Sequence, residues 1–269
     1  LGKATIDAGI VDNTGGTISA ADALTLTSTS LDNTSGQICA ASIAINTQRG
    51  TLINKASGKI IASHGELNVQ SGALNNDQGL LQAAQALTVN THGHGIANTN
   101  TGTLRGFHAN INAGPVNNAG GGIAAATTFD LKSSALDNRA GRINAASAAI
   151  DTRKGTLHND AGHIVTSTGT LDVKSGVFHN GSGMVHAAQD LEIRTNDEAL
   201  NNSGTMRAQG NARIRAGTLD NTGGNLLAGG PDTADAVLSV TATGHVNNSA
   251  GHMLARGNLT LTAPALNNS

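Results

Sequence analysis

The side chains in this sequence best equipped for chemistry are amides, and they recur on a beat. Asparagine stands at Asn13, Asn33, Asn54, Asn76, Asn98, Asn118, Asn138, Asn159, Asn180, Asn202, Asn221, Asn248 and Asn268, with gaps of 20, 21, 22, 22, 20, 20, 21, 21, 22, 19, 27 and 20 residues. A carboxamide is donor and acceptor at once, so a file of them can hydrogen-bond head to tail and satisfy backbone groups freed at a turn. That reading is structural. A polar binding surface is the functional alternative for so many amides.

The other reactive groups are sparser. Aspartate or asparagine precedes the anchor in most turns, as Asp12, Asp32, Asn75, Asn117, Asp137, Asn201, Asp220, Asn247 and Asn267, while His158 and His179 occupy the same position in consecutive turns. Stacked outward, two imidazoles could bind a metal or sense acid; a tolerated polar surface position is the simpler reading. His92 and His94 would share a face on a strand, as metal ligands can, but flanking glycines and the lack of a third ligand nearby read as an exposed bend. Arg207, Arg213 and Arg215 are the densest basic point in a section, Arg139 to Arg215, that holds nine bases against seven acids. They are either a solvated outer face or a partner-binding surface. No acid, base and nucleophile converge, and the expectation is no catalytic residue, no cofactor and no metal.

Around each anchor the pattern alternates with period two, as in Val11-x-Asn13, Ile18-x-Ala20 and Leu24-x-Leu26-x-Ser28, which means strand. Gly16, Gly36, Gly79, Gly121, Gly141, Gly162, Gly183, Gly224 and Gly251 each lie three residues after an anchor, where a corner calls for positive φ. Strand, glycine corner, strand, bend, strand is one turn. About twenty residues cannot bury such faces alone, so turns must stack, each strand pairing with its copy in the next. The fold is then an all-β parallel β-helix with like residues roughly 4.8 Å apart along the axis. Its core files are Ile18, Ile38, Ile60 and their successors, an alanine wall beginning Ala20, Ala40, Ala62, and paired aliphatics such as Leu24 with Leu26 and Ile43 with Ile45. Phe107 and Phe129 fall near or in that core. The anchor amides share the parity of the apolar residue two before them and point inward or along the corner.

Composition agrees. Aromatics are 1% with no Trp or Tyr, charged residues 13% and hydrophobic residues 38% of 269 residues, unlike a disordered chain rich in charge and proline. A net charge of -2 and the lack of stacking platforms argue against nucleic acid. The single Cys39 excludes an internal disulfide, and it alternates in direction with Ile38 and Ala40. No stretch reads as a signal peptide or membrane span, so no membrane insertion is expected. Residues 1–269 read as one β-helix cut in mid-repeat from a longer filament, with exposed sheet edges that favour association. The gap of 27 between Asn221 and Asn248 implies an inserted loop near residues 228–236. Insertions in solenoids often carry binding residues, here Gly230, Pro231 and Asp232; a plain solvent loop is the alternative.

Units such as Leu31-Asp32-Asn33-Thr34-Ser35-Gly36-Gln37-Ile38-Cys39-Ala40-Ala41 and Leu136-Asp137-Asn138-Arg139-Ala140-Gly141-Arg142-Ile143-Asn144-Ala145-Ala146 resemble the haemagglutinin repeats of filamentous haemagglutinin. The same repeats occur in related bacterial two-partner secretion exoproteins, including contact-dependent growth inhibition toxins. The resemblance covers essentially the whole chain and implies a right-handed β-helix of about 12 rungs of roughly 21 residues, three short strands each. It further implies export by a dedicated outer-membrane transporter and display at the bacterial cell surface as a fibre. The expected role is a structural shaft projecting a distal adhesive or toxic module. The alternative is that the repeats themselves bind a host glycan or a cell-surface receptor.

Overall fold

A computed structural model of the chain describes residues 2–269. They form two compact units, the first ending at Ser134 and the second running from Ala135 to Ser269. Each is a right-handed parallel β-helix with three strands per turn, and no helix occurs among the described residues. One turn shows the plan: a short anchor strand, Ser30–Asp32, ends just before Asn33; a middle strand, Gln37–Ala40, follows the corner; a longer strand, Ser42–Asn46, leads to the next corner. Each strand pairs only with its counterparts in neighbouring turns, so sequence neighbours lie in three different sheets.

In the first unit the long-strand register runs Leu24, Ile43, Leu67, Leu87, Ala109, Phe129, and all six side chains are buried. The one aromatic ring in this file lies over the smallest member, so local volume is conserved at close packing. Phe107, by contrast, is 44% exposed and packs edge-on against the His108 ring at 4.9 Å. It stands one residue past the middle strand Thr103–Gly106, at the corner where alternation no longer governs which way a side chain points.

In the second unit the anchor file is Leu136, Leu157, Phe178, Leu200, Leu219 and Val246, all buried. The middle file runs Ile143, Ile164, Val185, Met206 and Leu226. Ala228 ends the strand Asn225–Ala228 and is buried in register with Ala208, so the insertion begins one residue later than the repeat gap suggests and occupies residues 229–237. The interior is thus built from large aliphatics opposed by alanine, which explains how a chain with so few aromatics still fills a core.

Candidate functional site

The anchor amides form two continuous files. In the first unit Asn13 Nδ2 donates to Asn33 Oδ1 at 2.7 Å, Asn33 to Asn54 at 2.7 Å, Asn54 to Asn76 at 2.8 Å, Asn76 to Asn98 at 2.7 Å and Asn98 to Asn118 at 2.7 Å. In the second, Asn138, Asn159, Asn180, Asn202, Asn221, Asn248 and Asn268 are joined in the same direction at 2.6–2.8 Å. From Asn13 to Asn248 each Nδ2 also reaches at least one backbone carbonyl, Asn76 for instance Gly79 O and Thr103 O, both at 3.1 Å. From Asn13 to Asn248 these side chains are buried, those from Asn33 to Asn118 at 0% exposure, while Asn268 at the end of the second file is exposed. Aspartate cannot donate and leucine can do neither, so only a carboxamide satisfies both neighbours in so dry a position.

The glycines three residues on serve a purpose other than the expected one. None of Gly16, Gly36, Gly79 or Gly183 has positive φ; the left-handed residue is the one before, Gly15, Ser35, Gln78 and Ser182, at φ 62, 53, 56 and 51. What excludes a side chain at the glycine is space. A Cβ on Gly36 would lie 2.2 Å from Asn13 O and 2.6 Å from Asn33 Oδ1, and one on Gly79 would lie 1.7 Å from Asn54 O. The glycine column is the floor on which the amide ladder sits. Where a corner is one residue longer, as at Asn54 and Asn98, the glycine moves to Gly58 and Gly102, and two successive residues take φ > 0: Ala56 with Ser57, and Asn100 with Thr101.

Two further columns have roles that the sequence reading missed. Where Asp or Asn precedes the anchor, it accepts in all but Asn201 the backbone N–H two residues on: Asp32 Oδ1 from Thr34 at 2.8 Å, Asn75 from Asp77 at 3.0 Å, Asp220 from Thr222 at 3.0 Å. The position is therefore a corner cap. At Asp12 the Thr14 hydroxyl and N–H hold the carboxyl below its ordinary range, and at Asp137 the Arg139 guanidinium does so first, against the opposing effect of burial. The second column, Ser28, Thr47, Ser71, Thr91, Ser133, Thr152, Ser175 and Thr195, is fully buried at the corner after the long strand. Its threonines close four-residue turns, Thr47 Oγ1 donating to Gly50 O at 2.6 Å and Thr195 Oγ1 to Glu198 O at 2.6 Å. Two residues with positive φ lie between, Gln48 with Arg49 and Asn196 with Asp197. The signal was present as a Ser/Thr two places after most of the paired aliphatics, with alanine there at positions including Ala113, Ala216 and Ala242.

The outward groups are dispersed. Arg213 and Arg215 project from one strand, Ala212–Ala216, whereas Arg207 is half-buried on a middle strand beside His186, a different sheet. Neighbouring Arg194 is paired with Glu192 and Asp172, while Arg213 and Arg215 make no ion pair among the described residues. Arg213, Asp190, Glu192, Asn211 and Ser239 border a shallow groove of about 350 Å³. The insertion is tied down: Thr233 Oγ1 donates to Gln209 O at 2.5 Å and Arg256 to Pro231 O at 2.7 Å. Gly230 is buried, leaving Pro231 and Asp232 exposed.

The imidazoles of His158 and His179 stack at 4.8 Å and 7°, with Asp160 3.6 Å from His158 Nδ1 and the Asn201 amide 3.3 Å from His179 Nδ1. His92 and His94 lie on a turn, not a strand, with His92 and Gly93 both at positive φ, so alternation does not place their rings on one face. No group of three or more metal-ligating side chains occurs among the described residues. Cys39 is half-buried and accepts a hydrogen bond from Gln37 Nε2 at 3.1 Å.

In-register stacking, a buried amide ladder in each unit and polar groups spread along the outside define the class: a structural β-solenoid of short repeats. Among known families the haemagglutinin repeat matches residues 2–60, 51–106, 97–196 and 166–250. The chain belongs to the haemagglutinin repeat family, a structural family typical of secreted, filamentous surface proteins. No curated protein and no solved structure shows significant similarity to it.

Proposed function

We propose that this chain is a length of shaft in a secreted bacterial surface filament, exported across the outer membrane by a two-partner secretion transporter and holding a distal adhesive or toxic module away from the cell. The observation that carries this reading is the ladder. Within each unit every turn spends its most constrained residues, one asparagine and one glycine, on gripping the next turn, and the exposed positions vary freely between Thr, Asn, Asp, Lys and His. Selection on the turn-to-turn joint rather than on the surface suits a spacer. The absence of disulfides suits threading through a narrow pore, and each emerging turn offers a template on which the next can fold. The isolated chain, tested against glycan arrays and target cells, shows no saturable binding on this reading; a defined dissociation constant for either would overturn it.

The second reading makes the repeats themselves the adhesin, recognising a glycan or a receptor. What favours it is Arg213 and Arg215, side by side, exposed, without carboxylate partners and next to a groove. Saturable binding abolished by replacing both arginines with alanine would establish it in place of the shaft.

A further inference from the structure

Every ladder asparagine but one is followed by a residue with a side chain; the exception is Asn180-Gly181, the only Asn-Gly step in the chain. We propose that this step is a modification site, a latent point of deamidation that the folded ladder holds silent and that reacts whenever the chain is unfolded.

The chemistry needs nothing but water. The backbone nitrogen of Gly181 attacks Cγ of Asn180, the N–Cγ bond forms, the Cγ–Nδ2 bond breaks and ammonia leaves carrying the displaced amide proton. Water then opens the five-membered succinimide at either carbonyl, giving aspartate or isoaspartate. Glycine speeds the first step because no Cβ hinders approach of its nitrogen and its backbone reaches the required conformation readily.

In the folded chain both reactants are engaged elsewhere. Asn180 is fully buried, and its Nδ2 donates to Asn202 Oδ1 at 2.8 Å, Gly183 O at 3.3 Å and Thr205 O at 3.4 Å, while its Oδ1 accepts from Asn159 at 2.8 Å. The Gly181 N–H is donated to Asp160 Oδ1 at 2.7 Å. Closing the ring would swing the carboxamide out of all four bonds and vent ammonia from a site without solvent.

The product is incompatible with the fold. Aspartate at 180 cannot donate, which orphans Asn202 Oδ1 and leaves a charge in a neutral file. Isoaspartate adds a backbone carbon and breaks the register that pairs Phe178 with Leu200 and His179 with Asn201. A chain that waits too long before folding is therefore marked at one residue and can no longer complete that turn. This inference is independent of what the chain binds or carries.

The test holds the purified chain in guanidinium chloride and, in parallel, folded in the same mildly alkaline buffer, and follows each ladder asparagine by peptide mass spectrometry. In denaturant Asn180 converts faster than any other anchor, including the Asn202-Ser203 step. In the folded sample its conversion is slower by more than about tenfold, because reaction then waits on local opening. G181A slows the denatured-state reaction, a measurement that does not require the variant to fold, and N180D loses refolding yield. Equal conversion of Asn180 in the two samples, another anchor outpacing it in denaturant, or N180D refolding like the parent would each overturn the proposal.

Discussion

Replacing Asn76 with leucine tests whether the amide file acts as a unit. The substitution removes the Asn76 bond to Asn98 Oδ1 at 2.7 Å, the bond it receives from Asn54 at 2.8 Å and two contacts to backbone carbonyls at 3.1 Å. The consequences differ. Asn54 Nδ2 keeps Leu80 O at 3.1 Å, and Gly79 O keeps the N–H of Thr103 at 2.8 Å, but Asn98 Oδ1 is left buried without a donor. One orphaned buried acceptor costs about 1–3 kcal/mol and the lost bonds add to that, so the variant is expected to lose about 2–4 kcal/mol after the leucine recovers some apolar burial. Adding Asn98→Leu does not double the loss. It removes the orphan at Asn98 and moves the break one turn on, so the pair is sub-additive by about 1–3 kcal/mol. Denaturant unfolding of the four members of the cycle supplies the totals, and native-state hydrogen exchange locates the weakened turn, since solenoids can open turn by turn. An Asn76→Leu variant within about 0.5 kcal/mol of the parent, or a strictly additive double variant, would refute the ladder as a stabilising unit.

Other perturbations separate the remaining causes. Gly79→Ala puts a Cβ 1.7 Å from Asn54 O, a backbone atom that cannot yield, so it should cost on the order of 4 kcal/mol in a thermal or denaturant melt; Gly93→Ala, with nothing within 4 Å and only φ 86 to oppose it, should cost about 1 kcal/mol. His186 is held below its ordinary protonation range first by burial and then by Arg207. Its charged form is disfavoured in the folded chain, so stability is full above the unfolded value near 6.5 and falls as pH drops below it; the midpoint of unfolding should decline from pH 7 to 5 by less in His186→Gln than in the parent. Asp137, lowered chiefly by Arg139, contributes stability above its unfolded value of 3.8 and loses it as pH falls through the folded value. Asp137→Asn should therefore weaken the fold at pH 7, by less than about 1 kcal/mol because Arg139 is mostly exposed, and the difference from the parent should shrink as pH falls below 3.8.

How much was legible follows from which interactions are local. The period-two alternation around Leu31, Ile38 and Ile43, and the return of asparagine every 19 to 27 residues, are properties of the chain. They suffice for parallel stacking, because a repeat too short to bury its own faces has one economical partner, its own copy. The cap role of Asp32, Asn75 and Asp220 was within reach, since the Asx turn spans only two residues, but the alternation of Asp with Asn made it look like mere surface tolerance.

What the chain could not disclose is whatever depends on the distance between turns. Gly36 and Gly79 look like φ-driven corners in the sequence; only the stacking of turns places the previous turn's Asn13 O and Asn54 O where a side chain would be. The same applies to Phe107, turned out at a corner while Phe129 is covered over Ala109, and to Arg207, which shares a stretch of sequence with Arg213 and Arg215 but not a sheet. Sequence by itself determined the repeat, the strand count per turn and the family, because those rest on periodicity within about twenty residues. Tertiary structure alone decided why each glycine is there and which outward groups meet, because both depend on atoms about one turn of chain away brought to within a few ångströms by the parallel pairing.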